Sequence, residues 1–154
     1  MTEDARFEDA RERPLNLAAF DEGDLKVLSA LAQDAVFPIT EMRWEARRHR
    51  FALLVNRFRW EDAHRHEPER AQALLVVENV LGVASQGIDR DDRDTVLSLL
   101  SLTFEPGEEG AGHLLLTLAG DGAIRLEIEA LEVSLKDVTR PYRAPSGKVP
   151  QHDV

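Results

Sequence analysis

The chain has 154 residues, a net charge of −10 and no cysteine. That length predicts one domain that buries about 70% of its unfolded surface, and the missing thiols exclude disulfides and cysteine chemistry. The negative charge argues against nucleic acid as a partner, and no apolar run approaches the ~18 residues that span a bilayer, so no membrane partner is expected.

Residues 1–13 are charged and poor in apolar side chains, so a mobile acidic arm is expected there. They carry no basic and apolar stretch of the secretory kind, which together with the absent cysteine points to a soluble cytoplasmic protein. Pro14 to Phe20 reads as a short edge strand, with Pro14 tolerated at its start. Asp21 has the features of an N-cap, with Glu22 and Asp24 in the first turn. Leu25, Leu28, Leu31 and Ala32 share one stripe of a helix over about residues 22–34, with Lys26, Ser29 and Gln33 facing outward.

From Val36 the period changes to two. Val36 to Ile39 contains Pro38 and is expected to be an edge strand at most. Met42 and Trp44 alternate, Glu45 to His49 makes a loop, and Phe51, Leu53 and Val55 alternate again, with Ala52, Leu54, Phe58 and Trp60 in the opposite phase. This predicts a hairpin with cross-strand aromatic packing. Arg57 falls in the phase of Phe51, Leu53 and Val55, so it must be partnered or lie at a sheet margin. Residues 61–70 are polar, contain Pro68 and read as a loop. Ala73 to Val77 and Val80 to Val83 read as one kinked strand or two, broken near Glu78 and Asn79, and their near-continuous apolar run predicts burial on both faces. Residues 87–94 turn. In the strand Val96 to Phe104, Leu97 and Leu99 share one phase and Leu100, Leu102 and Phe104 the other, which predicts a bulge or corner. Residues 105–112 make an exposed loop.

A second hairpin surrounds Gly120, Asp121 and Gly122. Ile124, Leu126 and Ile128 share one face, and Arg125, Glu127 and Glu129 the other. A three-residue Gly120-Asp121-Gly122 loop pairs Leu118 with Ile124, Leu116 with Leu126 and Leu114 with Ile128, keeping apolar residues together, whereas a two-residue loop mixes them with charges. Gly122 suits a left-handed bulge position in such a loop. After Glu129 the phase slips, and Leu131, Val133 and Leu135 alternate. A strand is preferred here, with a helix from Leu131 to Val138 as the competing reading. The domain is expected to span residues 14–139, and residues 140–154, rich in proline, to form an extended tail.

Charge is uneven. Residues 43–70 hold eight arginines against five acids, a local +3 that leaves −13 for the remainder. Arg43, Arg57 and Arg59 interleave with Trp44, Phe58 and Trp60, and arginine beside aromatics can grip phosphates, carboxylates or bases. The competing reading is intramolecular pairing with the acidic surface, which is the heavier of the two. His64 and His66 lie in a polar loop beside acids, but no further ligands have zinc spacing, so no metal site is expected. The run Asp89-Arg-Asp-Asp-Arg-Asp94 lacks the glycine and glutamate of a calcium loop and reads as a charged turn. Glu127 and Glu129 alternate with core residues and read as a wet sheet face. No serine lies in a nucleophile-elbow context. No catalytic residue and no cofactor is implied.

Asp24-Leu25 with Leu31-Ala-Gln-Asp-Ala35, Arg50 to Trp60, and Gly122 to Glu129 resemble a family of small bacterial proteins carrying a domain of unknown function. The resemblance covers about residues 14–139. It implies a stand-alone domain and assigns no catalytic or binding residue.

The fold class expected is α+β and β-rich: an antiparallel sandwich or partly open barrel of about seven to eight strands, with one N-terminal helix over an end or edge. Three function classes follow. The first in rank is a non-enzymatic interaction module, offering a sheet edge or the arginine–aromatic surface to another protein or a second copy. The second is a small anionic-ligand-binding barrel using Arg43, Trp44, Arg57, Arg59 and Trp60. The third is an enzyme whose residues converge only in three dimensions. A concave apolar pocket lined by arginines favours the second, and a long unpaired edge strand the first.

Overall fold

The structure, a computed structural model, describes residues 14–60, 69–139 and 142–143. The expected acidic arm, residues 61–68 of the expected 61–70 loop, with His64 and His66, and most of the expected tail lie outside these residues; Glu69 and Arg70, expected in that loop, instead begin a strand. The strands are β1 (Asn16–Ala19), β2 (Val36–Pro38), β3 (Met42–Glu45), β4 (Arg50–Phe58), β5 (Glu69–Val77), β6 (Val80–Gln86), β7 (Val96–Pro106), β8 (Gly112–Leu118), β9 (Ala123–Ile128), β10 (Val133–Asp137) and β11 (Tyr142–Arg143). A single α-helix among the described residues, α1 (Glu22–Ala32), follows β1.

All pairings are antiparallel. The order is β1-β10-β5-β4-β2-β7-β8-β9-β6, with β3 on β4 and β11 on β5. The sheet is a large open one, not closed into a barrel. The β-rich class with one N-terminal helix agrees with the sequence. The strand number is higher than seven to eight because short segments such as Val36–Pro38 and Tyr142–Arg143 also pair.

Helix α1 begins where its cap predicts. The Asp24 amide donates to Asp21 Oδ1 at 2.8 Å, and Glu22 and Asp24 lie at the positive end of the helix dipole. Leu25, Leu28 and Ala32 are buried against the sheet. Ser29, expected to face outward, does not: it is half-buried, and its Oγ accepts from the Leu102 amide of β7 at 2.9 Å. The bond supplies the partner that this amide needs beneath a helix that excludes water.

Of the two phase slips in the sequence, the one in β7 is a physical bulge, and the one after Glu129 is no corner within a strand but the break between β9 and β10, which pair with different neighbours. Between the pairs Leu99–Leu118 and Ser101–Thr117, β7 spends one extra residue, Leu100. This lets Leu99 and Leu102, of opposite parity, both reach the core. In β6 the extra residue is Leu81, between Val80–Ile128 and Gly82–Glu127. The break after β5 is real: Asn79 is left-handed, φ 61°, and β5 and β6 pair with different neighbours. Burial on both faces fits β5, where Leu74 and Val76 are half-buried opposite the core positions, but not β6, where Leu81, Ala84, Ser85 and Gln86 are exposed. That strand has a neighbour on one side only among the described residues.

Two further expectations change. Val36–Pro38 is no edge: Val36 lies between Asn56 of β4 and Ser98 of β7, so β2 joins the two halves of the sheet. Pro38 is tolerated because it is the strand's last residue and the next amide, of Ile39, donates to Thr95 O at 2.9 Å. The β8–β9 hairpin keeps the expected parity and a three-residue loop, but its register is Leu116–Ile124 and Leu114–Leu126. The Leu118 amide donates to Gly122 O, so the loop is Ala119-Gly120-Asp121, with Gly120 (φ 79°) and Asp121 (φ 69°) left-handed in place of Gly122. A shift of two residues leaves every side chain on its face, so the hydrophobic pattern could not distinguish the two registers. Residues 133–137 are the preferred strand and not the helix.

Candidate functional site

The five residues singled out by the arginine–aromatic pattern separate into two groups. Arg57, Arg59 and Trp60 gather at the end of β4. Arg43 and Trp44 sit on β3 opposite Ala52 and Phe51, about 17 Å back along β4 from Arg57 at the rise of an extended chain.

At the end of β4, Arg57 is fully buried, as its parity requires. Its Nε donates to Asp137 Oδ1 at 2.8 Å and its Nη2 to Asp137 Oδ2 at 2.9 Å, in a fork-on-fork pair with both side chains out of solvent. Asp137 Oδ2 also accepts from the Leu15 amide at 2.8 Å. Arg59 is buried with Nη1 3.6 Å from the Glu69 carboxylate. The Trp60 indole donates to Gln33 O at 2.7 Å and meets the Phe58 ring edge-on at 4.7 Å. This group knits β1, β4, β5, β10 and the end of α1 together. Asp137 was missed in the sequence although it continues the inward phase of Val133 and Leu135, where an acid must have a partner.

The second place is the seam where the sheet fails to close. Among the described residues β3 pairs only with β4, and β6 only with β9. The seam is tied at one end. There the Val80 amide donates to His49 O at 2.8 Å and Arg50 Nε to Glu78 Oε1 at 2.7 Å. Toward Gln86 it opens into a cleft of about 330 Å³. Its floor is apolar: Ile39, Met42, Trp44 and Phe51 from one side of the seam, Val83 and Ile124 from the other. Trp44 keeps 39% of its surface exposed. Thr40 and Ser85 add hydroxyls, and Arg90 and Arg93 stand at the rim. Of the five sequence-chosen residues, Trp44 alone lines the cleft, and the exposed Arg43 occupies the alternate phase of β3.

The loop that carries the two arginines is held at both ends. At its start Gly87, φ 70°, passes so close to Asp121 that an added Cβ would lie 2.9 Å from Asp121 O. At its end Thr95 O receives the Ile39 amide. Inside it, Asp89 Oδ1 accepts from the Asp91 amide at 3.0 Å and Asp92 Oδ1 from the Asp94 amide at 3.2 Å. These carboxylates bond to the loop's own backbone. Arg48, Arg50, Arg57, Arg59 and Arg125 each face a carboxylate. Arg90 and Arg93 have no ion pair or side-chain hydrogen bond among the described residues. In the sequence their run, Asp89–Asp94, reads as a charged turn because its acids outnumber its arginines. The usable signal was two arginines three apart in a turn that follows a strand. No group of three or more metal-ligating side chains occurs among the described residues, and no helix there is long and apolar enough to cross a membrane.

Fold and cleft together define an open antiparallel β-domain with a cavity in its own seam. The chain belongs to the family described as protein of unknown function DUF2948, whose model matches residues 15–152. No curated protein and no solved structure matches it.

Proposed function

We propose that this domain is a non-enzymatic binding module whose ligand is a small anion with an apolar body, held in the seam cleft. The observation that carries the reading is the pair Arg90 and Arg93, without acidic partners among the described residues, at the rim of an apolar concavity. A guanidinium pair supplies several donors in planar forks suited to a carboxylate or phosphate. Trp44 offers an indole surface to the ligand's body. The volume lies at the low end of small-molecule sites, about 300–1,000 Å³. Arg57 does not enter this reading as a ligand contact, since Asp137 occupies its fork. The compartment we propose is the cytosol, in keeping with a chain that has no cysteine.

A thermal-shift screen of apolar carboxylates and phosphate esters tests the proposal. A binder raises the midpoint with ligand concentration, by about 2.7 kcal/mol of stabilisation at a hundred times its Kd. The variant R90A/R93A abolishes the shift. A flat screen against the unaltered protein, or a shift that survives R90A/R93A, rejects it.

A further inference from the structure

We infer that the cleft receives the carboxyl-terminal end of an extended polypeptide, its free α-carboxylate on Arg90 and Arg93 and its last apolar side chain against Trp44. The inference rests on the anion-binding reading and is carried past it by the two strand edges. A small anion uses the arginines and the floor, but it leaves the main-chain groups along β3 and β6 unengaged. Among the described residues both strands have one unpaired edge, and both contribute to the cleft. Rows of unpaired N–H and C=O groups beside an apolar concavity are what an added strand recognises.

The edge of β6 is unguarded in composition. Proteins protect long edges with charge, proline or brevity. The opposite edge of the sheet, β1, has four residues and follows Pro14. Strand β6 has seven, Val80-Leu-Gly-Val-Ala-Ser-Gln86, with neither a charge nor a proline, in a chain that is 31% charged. Its one blunting device is the Leu81 bulge at the tied end, which leaves Gly82–Gln86 regular.

The same features set the length and direction of the guest. The Val80–His49 bond stops any added strand at the tied end, so only a few residues fit beside β3 and β6. The arginines lie beyond Gln86, in the loop that follows β6. A carboxylate there makes the guest parallel to β6 and antiparallel to β3. A cleft of about 330 Å³ has room for a side chain or two and not for a folded element. A chain terminus combines the three needs: a backbone to pair, an apolar side chain to bury and an anion at the end.

Calorimetry on the full chain separates this from simple anion binding. The probes are pools of N-acetylated pentapeptides ending in Leu, Ile or Phe, prepared with free or amidated C-termini, a third pool with N-methylated backbone, and N-acetyl-leucine. The free-acid pool binds at least about tenfold tighter than the amidated pool, the size of one charge-assisted contact. It likewise exceeds the N-methylated pool and N-acetyl-leucine, and R90A/R93A removes the advantage of the free acid. If N-acetyl-leucine or the N-methylated pool matches the free-acid peptides, the strand-pairing inference is overturned while the anion-binding reading stands. If no probe binds, the inference falls, and the anion screen above decides the other reading separately.

Discussion

Arg57 and Asp137, 80 positions apart in the chain, meet above a strand that belongs to neither of them. On β5 the residue opposite Arg57 is Ala71, and Ala73 lies opposite both Val55 and Asp137. Both alanines are fully buried. Their small side chains leave the volume in which a guanidinium from β4 reaches a carboxylate from β10 across the intervening strand. The pair is thus encoded by four residues, two that carry the charge and two that stay out of the way.

Removing one member leaves the other charged and buried. We expect Asp137→Ala and Arg57→Ala each to lower unfolding free energy by about 3–5 kcal/mol, and the double apolar replacement R57M/D137L to recover most of the loss. Urea denaturation of the three variants checks this. Equal losses in the single and double variants would show that the charges do not act as a pair.

Space over β5 can be tested without touching a charge. Ala73→Leu places a bulky side chain between Val55 and Asp137 and should cost about 1–3 kcal/mol through overpacking. The comparison Val76→Leu, on the opposite and half-buried face of the same strand, should cost less. A thermal midpoint measured on both variants decides.

Arg90 and Arg93 are expected to behave in the opposite way to Arg57. Both are exposed and neither is ion-paired among the described residues, so R90A/R93A should leave stability within about 0.5 kcal/mol. Ligand affinity in the cleft should fall sharply in that variant, and in the unaltered protein it should weaken with salt, as an exposed charged contact must. Denaturation and calorimetry over a salt series provide the two readouts.

Gly110 in the turn before β8 and Gly112, the first residue of that strand, are glycines of different kinds. At Gly112 an added Cβ would collide with Glu105 O and lie 2.9 Å from the Phe104 ring, whereas at Gly110 it would meet nothing within 4 Å. Gly110 has φ +83°, so Gly110→Ala should cost about 1 kcal/mol of backbone strain. Gly112→Ala forces two paired strands apart and should cost more. If the two variants unfold at the same urea concentration, the close approach at Gly112 is not what demands glycine.

Ser29 offers a test of the helix–sheet contact. Ser29→Ala leaves the Leu102 amide without its acceptor at a half-buried site, with an expected loss of about 1–3 kcal/mol. Hydrogen exchange at Leu102 should accelerate more than at neighbouring β7 amides.

What could be read from the residues was what depends on parity. The burial of Arg57, the bulge between Leu99 and Leu102 and the break at Asn79 are all local consequences of a two-residue period. The partner of Arg57 was hidden because it lies 80 positions away, and a single strand pattern does not say which strands share a layer. The β8–β9 register escaped because a two-residue shift preserves parity. The role of β2 escaped because Pro38 argues for an edge, and only the pairing of Val36 on both sides reveals a centre. The cleft was least legible of all. It is made by strands that do not pair, and its arginines lie in a turn whose acids outnumber them.

The three residues of β2 have a mechanical consequence. They supply the strand pairing between the half of the sheet that holds β3 and β4 and the half that holds β6 and β9. Those halves are also the two walls of the cleft. Strand pairing between the two walls thus runs through β2 alone, with α1 packed across both halves and the His49–Val80 bond joining the walls directly at the tied end of the seam. The spacing of the cleft walls is therefore built on a segment that does not itself line the cleft.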